Sequence, residues 1–281
     1  MMLKGKGICE NIIGLKQTTG KVAGIYEHCF NILNGDGQLI TVFGDTDQYS
    51  TRAVLCEFNG SMQALPIRDG EEVILGPGKI QTAHVTIDWS EAEYIHLQRS
   101  PLLLSDGYEV TGNISRNISR NMETVLRIIK SKGKGSPLLE QDSMIRKKAA
   151  IGMERLKKDY VEGLRSLVGL GIGLTPSCDD LLGGMAAWMY LTGKETEFLT
   201  ALRSFLREYG AVYTTAVSSN LLYDIACGVI NHGIYELICA IIGDGKDLER
   251  LTGRVMDYGS TSGMETCLGI VMGYHFEKDG E

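Results

Sequence analysis

The apolar residues change their spacing once along the chain, and that change divides the fold. From about residue 20 to residue 104 they come in short runs separated by Gly-rich turns. That is the pattern of strands. Val22–Tyr26 and Cys29–Leu33 are the first two. Asn34-Gly35-Asp36-Gly37 is a strong hairpin signal, and Gln38–Phe43 is its return strand. Ala53–Phe58 and Ser61–Ile67, joined by Asn59-Gly60, read as a second hairpin. Glu72–Leu75, Ile80–Ile87 and Glu93–Leu97 continue the series. Short strands at this spacing predict a small antiparallel barrel or sandwich.

The strand pattern fades between about residues 104 and 113, and beyond it the period is helical. Helices are predicted at 113–130, 138–168, 178–192, 196–209, 213–230, 233–242, 246–257 and 262–275. In the fourth, Phe198, Leu202, Phe205 and Tyr209 share one face. The expected class is α+β, with a β-rich domain at 1–108 and an α-helical domain at 109–281.

The chain has 281 residues, 43% of them hydrophobic, ample for a sizeable core. Its net charge of −7 argues against an extended nucleic-acid face. Any anion must therefore be held locally, by helix N-termini or a few placed cations. The seven cysteines form no C-x-x-C pair and sit mostly among apolar residues, as buried thiols of a reducing compartment do. No apolar run follows Met1–Lys6, and no stretch reaches the length of a membrane span. The expected location is the cytoplasm. His28, His84, His96, His232 and His275 show no zinc-ligand spacing.

The most informative segment is Gly169-Leu170-Gly171-Ile172-Gly173-Leu174-Thr175-Pro176-Ser177-Cys178-Asp179-Asp180. Glycines let backbone approach a ligand or another helix closely. Thr175-Pro176 signals a helix start with Pro at its first position. Alternatively Ser177 opens a capping box, bonding the backbone N–H of Asp180. Either reading gathers hydroxyls and unpaired N–H groups at a helix start, the general form of an anion site. Gly171, Gly173, Thr175 and Ser177 are its candidate binding residues, with backbone donors from Thr175 to Asp179. It is neither a dinucleotide fingerprint nor a Walker motif. The competing reading makes the acids simple partners of the helix dipole. Cys178, close to that helix start, is a candidate for a lowered thiol pKa.

Asp179 and Asp180 are the candidate catalytic pair. Two carboxylates repel an anion unless a hard cation such as Mg²⁺ intervenes, with Asp179, Asp180 and Glu265 as ligands, or a partner supplies an arginine. A helix start alone favours an anion by roughly 0.3–1 kcal/mol, too little for useful affinity. Gly259–Gly269 echoes the first loop, with Thr261, Ser262 and Gly263 before Glu265. Both loops are expected at one site. Thr214, Thr215 and Ser218 add hydroxyls from a third helix, or serve only its packing.

These segments are similar to the signature of the AllH family. The resemblance rests on Gly-x-Gly-Leu-Thr-Pro-Ser-x-Asp-Asp before an apolar helix, on Thr214-Thr215, Ser218 and Leu221-Leu222, and on Thr261-Ser262-Gly263. Cys178 stands where the pattern usually has Gly, and Glu265 where Asp is expected. The resemblance implies a subunit of oxamate carbamoyltransferase in anaerobic allantoin breakdown, working with two other subunits. The implied reaction exchanges a carbamoyl group among oxalurate, phosphate, oxamate and carbamoyl phosphate, all small anions or their carriers. Two other functions compete: a stand-alone metal-assisted hydrolase using Asp179, Asp180 and Glu265, and a non-catalytic partner or regulatory module.

Overall fold

Alternation in the first hundred residues closes into a barrel. In the computed structural model the described residues are all but 13, 15, 47–48, 103–111, 133–134, 195–196 and 280–281. They fall into two units, Met1–Leu97 and Gln98–Glu281. The predicted change of character at 104–113 lies almost wholly outside the described residues.

The first unit has nine strands: β1 (Met2–Cys9), β2 (Thr18–Ile25), β3 (Cys29–Asn34), β4 (Leu39–Phe43), β5 (Ala53–Cys56), β6 (Glu72–Gly76), β7 (Lys79–Gln81), β8 (Thr86–Asp88) and β9 (Glu93–Ile95). Their order is β5-β4-β3-β2-β6-β7-β8-β1, and a β5–β1 pairing shuts the ring. Closure removes the sheet edges that would otherwise template aggregation. The barrel is mixed rather than uniformly antiparallel, because β4–β5, β1–β8 and β1–β9 run parallel.

The Asn34–Gly37 turn forms as expected. Asn34 Oδ1 accepts the amides of Asp36 and Gln38, and Gly37 takes a positive φ of 74°. The second expected hairpin does not form. Both edges of β5 are already paired, to β4 and to β1, so Ser61–Ile67 has no edge to join. That stretch carries a 3₁₀ turn at Met62–Ala64 instead. Ile80–Ile87 divides into β7 and β8. Strand β1 went unread because Gly5 and Gly7 look like turn residues. Gly5 is there for fit: a Cβ on it would lie 2.6 Å from Trp89 Cβ.

The second unit holds α1 (Gly112–Lys132), α2 (Met144–Leu156), α3 (Tyr160–Leu167), α4 (Ser177–Leu191), α5 (Glu197–Tyr213), α6 (Ala216–Ala226), α7 (His232–Ile242), α8 (Leu248–Met256) and α9 (Ser262–Asp279). The single helix expected over 138–168 is two. Asp159 caps α3, accepting the Glu162 amide at 3.1 Å, and Gly163 lets α3 fold back on Leu156. Helix α4 is apolar on nearly all sides and is buried along most of its length, as the central helix of a bundle must be. It crosses α9 in close contact. A Cβ on Gly184 would lie 2.0 Å from Thr266 O, and one on Gly269 2.0 Å from Leu181 O. On α5, Phe198, Leu202 and Phe205 are buried, as their spacing predicts. Among the described residues no helix is long and apolar enough to cross a membrane.

Candidate functional site

Close packing of α4 on α9 brings their first turns side by side, and the start of α6 joins them. The 169–175 loop makes this approach feasible. Gly169 and Gly171 have φ of 78° and 146°, values a side chain would resist. A Cβ on Gly171 would lie 2.2 Å from Ser177 N, and one on Gly169 1.8 Å from Tyr213 O. The loop is pinned back on α4 by Cys178 N–H donating to Leu170 O at 2.9 Å. Thr215 caps α6 by accepting the Ser218 amide at 3.0 Å and donates its hydroxyl to Leu174 O at 2.5 Å. The Thr175 and Ser262 hydroxyls meet at 2.7 Å, so the two Gly–hydroxyl–acid loops lie together.

Three carboxylates occupy this meeting point in different environments. Asp179, 2% exposed, accepts from Gly169 N–H at 2.7 Å, from Ser218 Oγ at 2.6 Å and from the Thr214 hydroxyl. It ties the loop, α4 and α6 to one another. Burial raises its pKa, against those three donors. Glu265, 1% exposed, accepts from Ser136 Oγ at 2.7 Å and from Thr261 Oγ1 at 3.3 Å. Burial raises its pKa too, while the hydroxyls of Ser136, Ser177 and Thr261 oppose the shift.

Asp180 differs from both. Its Oδ2 is sealed from solvent and has no hydrogen-bond partner. Burial pushes its pKa to about 8; the charges of Glu265 and Asp179 add to the rise, while the Ser262 and Thr175 hydroxyls oppose it. At neutral pH this side chain is mostly a neutral carboxylic acid, able to donate a proton. A buried carboxyl oxygen without a partner, on an acid beside hydroxyls at two helix starts, is the group most available to a ligand.

Several expectations are corrected. Pro176, not Ser177, is the N-cap residue, and its carbonyl accepts the amides of Asp179 and Asp180 at 2.8 and 3.2 Å. Ser177 thus makes no capping box, and its hydroxyl serves Glu265 instead. The amides of Cys178 and Asp179 are committed to protein carbonyls, and Pro176 has no N–H. Of the expected donors Thr175–Asp179, only the amides of Thr175 and Ser177 stay uncommitted. The Cys178 thiol is not activated; burial pushes it up to about 12. The Asp179, Asp180 and Glu265 carboxylates do not form a metal-ligand set: among the described residues no group of three or more His, Cys, Asp or Glu could hold a metal ion. Asp179 and Glu265 spend their oxygens on amide and hydroxyl donors. Gly263 serves packing, since a Cβ there would lie 1.8 Å from Val255 O. Gly173, with φ of 98°, sits exposed in the loop. Ser136 escaped the sequence reading altogether; nothing in Gly135-Ser136-Pro137 points to a carboxylate 129 residues away.

No solved structure matches the chain. Residues 167–274 match the family described as oxamate carbamoyltransferase subunit AllH. That span covers the loop, α4, α6 and the start of α9. Residues 4–94, the barrel, match the AllH family N-terminal domain. With both units matched, the chain belongs to the AllH family.

Proposed function

We propose that this chain is a cytoplasmic subunit of a carbamoyltransferase that exchanges the carbamoyl group between oxamate and phosphate, and that its contribution to the active centre is the cluster around Asp180. Two companion subunits complete the enzyme, which serves the breakdown of allantoin and other purine-derived nitrogen compounds. The observation that carries the site is the unpartnered Oδ2 of Asp180 beside the Thr175 and Ser262 hydroxyls.

The chemistry requires one proton to move. In the phosphorolytic direction a phosphate oxygen attacks the terminal carbamoyl carbon of oxalurate, and the bond from that carbon to the oxamate nitrogen breaks. The departing nitrogen must gain a proton. Neutral Asp180 supplies it, and the proton released by the attacking phosphate restores the acid. In the reverse direction the Asp180 carboxylate accepts a proton from the oxamate nitrogen. A carboxyl with a pKa near the working pH suits both roles. The hydroxyls of Thr175 and Ser262 and the amides of Thr175 and Ser177 orient the anions.

The test is reconstitution with the companion subunits, following oxalurate formation from oxamate and carbamoyl phosphate. Asp180→Asn is expected to lower turnover by about 10²-fold or more, in line with loss of a positioned acid or base, with an unchanged circular dichroism spectrum. Wild-type turnover in that variant would remove Asp180 from the chemistry.

A further inference from the structure

Among the described residues the side chains at the Asp180 cluster bring no positive charge. The polar side chains there are carboxylates and hydroxyls. Among the described residues, no lysine, arginine or histidine is a cause of the shifts at Asp179, Asp180 or Glu265. Phosphate or carbamoyl phosphate placed here meets neutral hydroxyls and helix-start amides, the latter worth roughly 0.3–1 kcal/mol.

The segments that meet at this cluster carry exposed apolar side chains. Ile172 is 75% exposed and Leu174 38% exposed on the loop, and Val212 is 81% exposed at the end of α5. Their two segments are joined by the Thr215 hydroxyl bond to Leu174 O. Single exposed apolar residues are ordinary. Here two lie on the loop that leads into Asp179 and Asp180, and the third lies next to Tyr213, whose carbonyl backs that loop at Gly169.

We infer that this rim seats a second, different subunit of the carbamoyltransferase, which covers Ile172, Leu174 and Val212 and brings an arginine to the mouth of the Asp180 cluster. The inference rests on the function proposed above. Apolar anchors around a charged centre match the anatomy of specific interfaces. A guanidinium is suited to the phosphate because its planar fork binds two oxygens at once. The phosphate matches its charge, so Asp180 keeps its proton. A second copy of this chain does not fit the same seat. It would bring its own acid cluster, on a chain of net charge −7.

The test uses the full chain co-expressed with its companion subunits. The double variant Ile172→Glu, Val212→Glu is expected to weaken assembly at least tenfold in analytical ultracentrifugation. The control is Met144→Glu, Ile151→Glu on α2, where the side chains are 63% and 56% exposed; it should assemble like the wild type. A photo-crosslinker at position 172 should capture an arginine-containing peptide of a companion subunit. Unchanged assembly of the rim variant, crosslinks only to another copy of this chain, or capture of a companion segment without arginine would each overturn the proposal. Asp180→Asn separates the two claims: it should assemble normally and lose turnover. If it kept turnover, the catalytic reading would fail while the docking face stood.

Discussion

Asp179 accepts three hydrogen bonds and Asp180 Oδ2 accepts none, so substitutions at these neighbouring positions should fail in different ways. Asp179→Ala strands a buried amide and two hydroxyls, and is expected to cost about 3 kcal/mol of stability, read by urea unfolding. Asp180→Asn should unfold much like the wild type at about pH 4 and below, where the carboxyl is protonated in both states. The two must diverge with rising pH. The folded-state pKa of Asp180, about 8, lies above its unfolded value of about 4, so the stability from protonation is fully present below about pH 4 and is lost as pH rises from there through about 8. The asparagine variant has no proton to lose. Unfolding midpoints measured from pH 4 to 9 should show it gaining on the wild type up to about pH 8 and levelling off above; parallel curves would mean that Asp180 is not a raised acid. The sequence made both aspartates visible as a pair but not their division of labour. That division depends on Thr214, Ser218 and Ser262, contributed by distant segments.

At the scale of elements, the periodic signals reached every described strand but β1 and every described helix, merging β7 with β8 and α2 with α3, and failed where tertiary pairing decides. Ser61–Ile67 has strand character but no free edge, and 138–168 has helical period throughout but is cut by the Asp159 cap. Asp159→Ala is therefore expected to cost about 1 kcal/mol in thermal or urea unfolding. The glycines of α4 and α9 gave no sign in one dimension of being a contact. Gly184→Val would drive a branched side chain into the Thr266 carbonyl, 2.0 Å from where its Cβ must sit. The crossing carries the site, because it aligns Thr175 with Ser262. The variant should lose several kcal/mol and, where it still folds, substrate binding as well, measured by calorimetry with carbamoyl phosphate.

For the whole molecule, the division into a β unit and an α unit was legible from the single change of apolar period, and family matches over 4–94 and 167–274 cover both units. In the function proposed above, the anion's counter-charge comes from a companion subunit. The central claim is that Asp180 works as an acid with a pKa near 8. Its most direct test is the pH dependence of oxalurate phosphorolysis, as kcat at saturating oxalurate and phosphate, in the assembled enzyme. For the wild type the rate should fall tenfold per pH unit above about pH 8 as Asp180 loses its proton, and Asp180→Asn should be slow at every pH and lack that limb. A variant that keeps both the rate and the alkaline limb of the wild type would contradict the account.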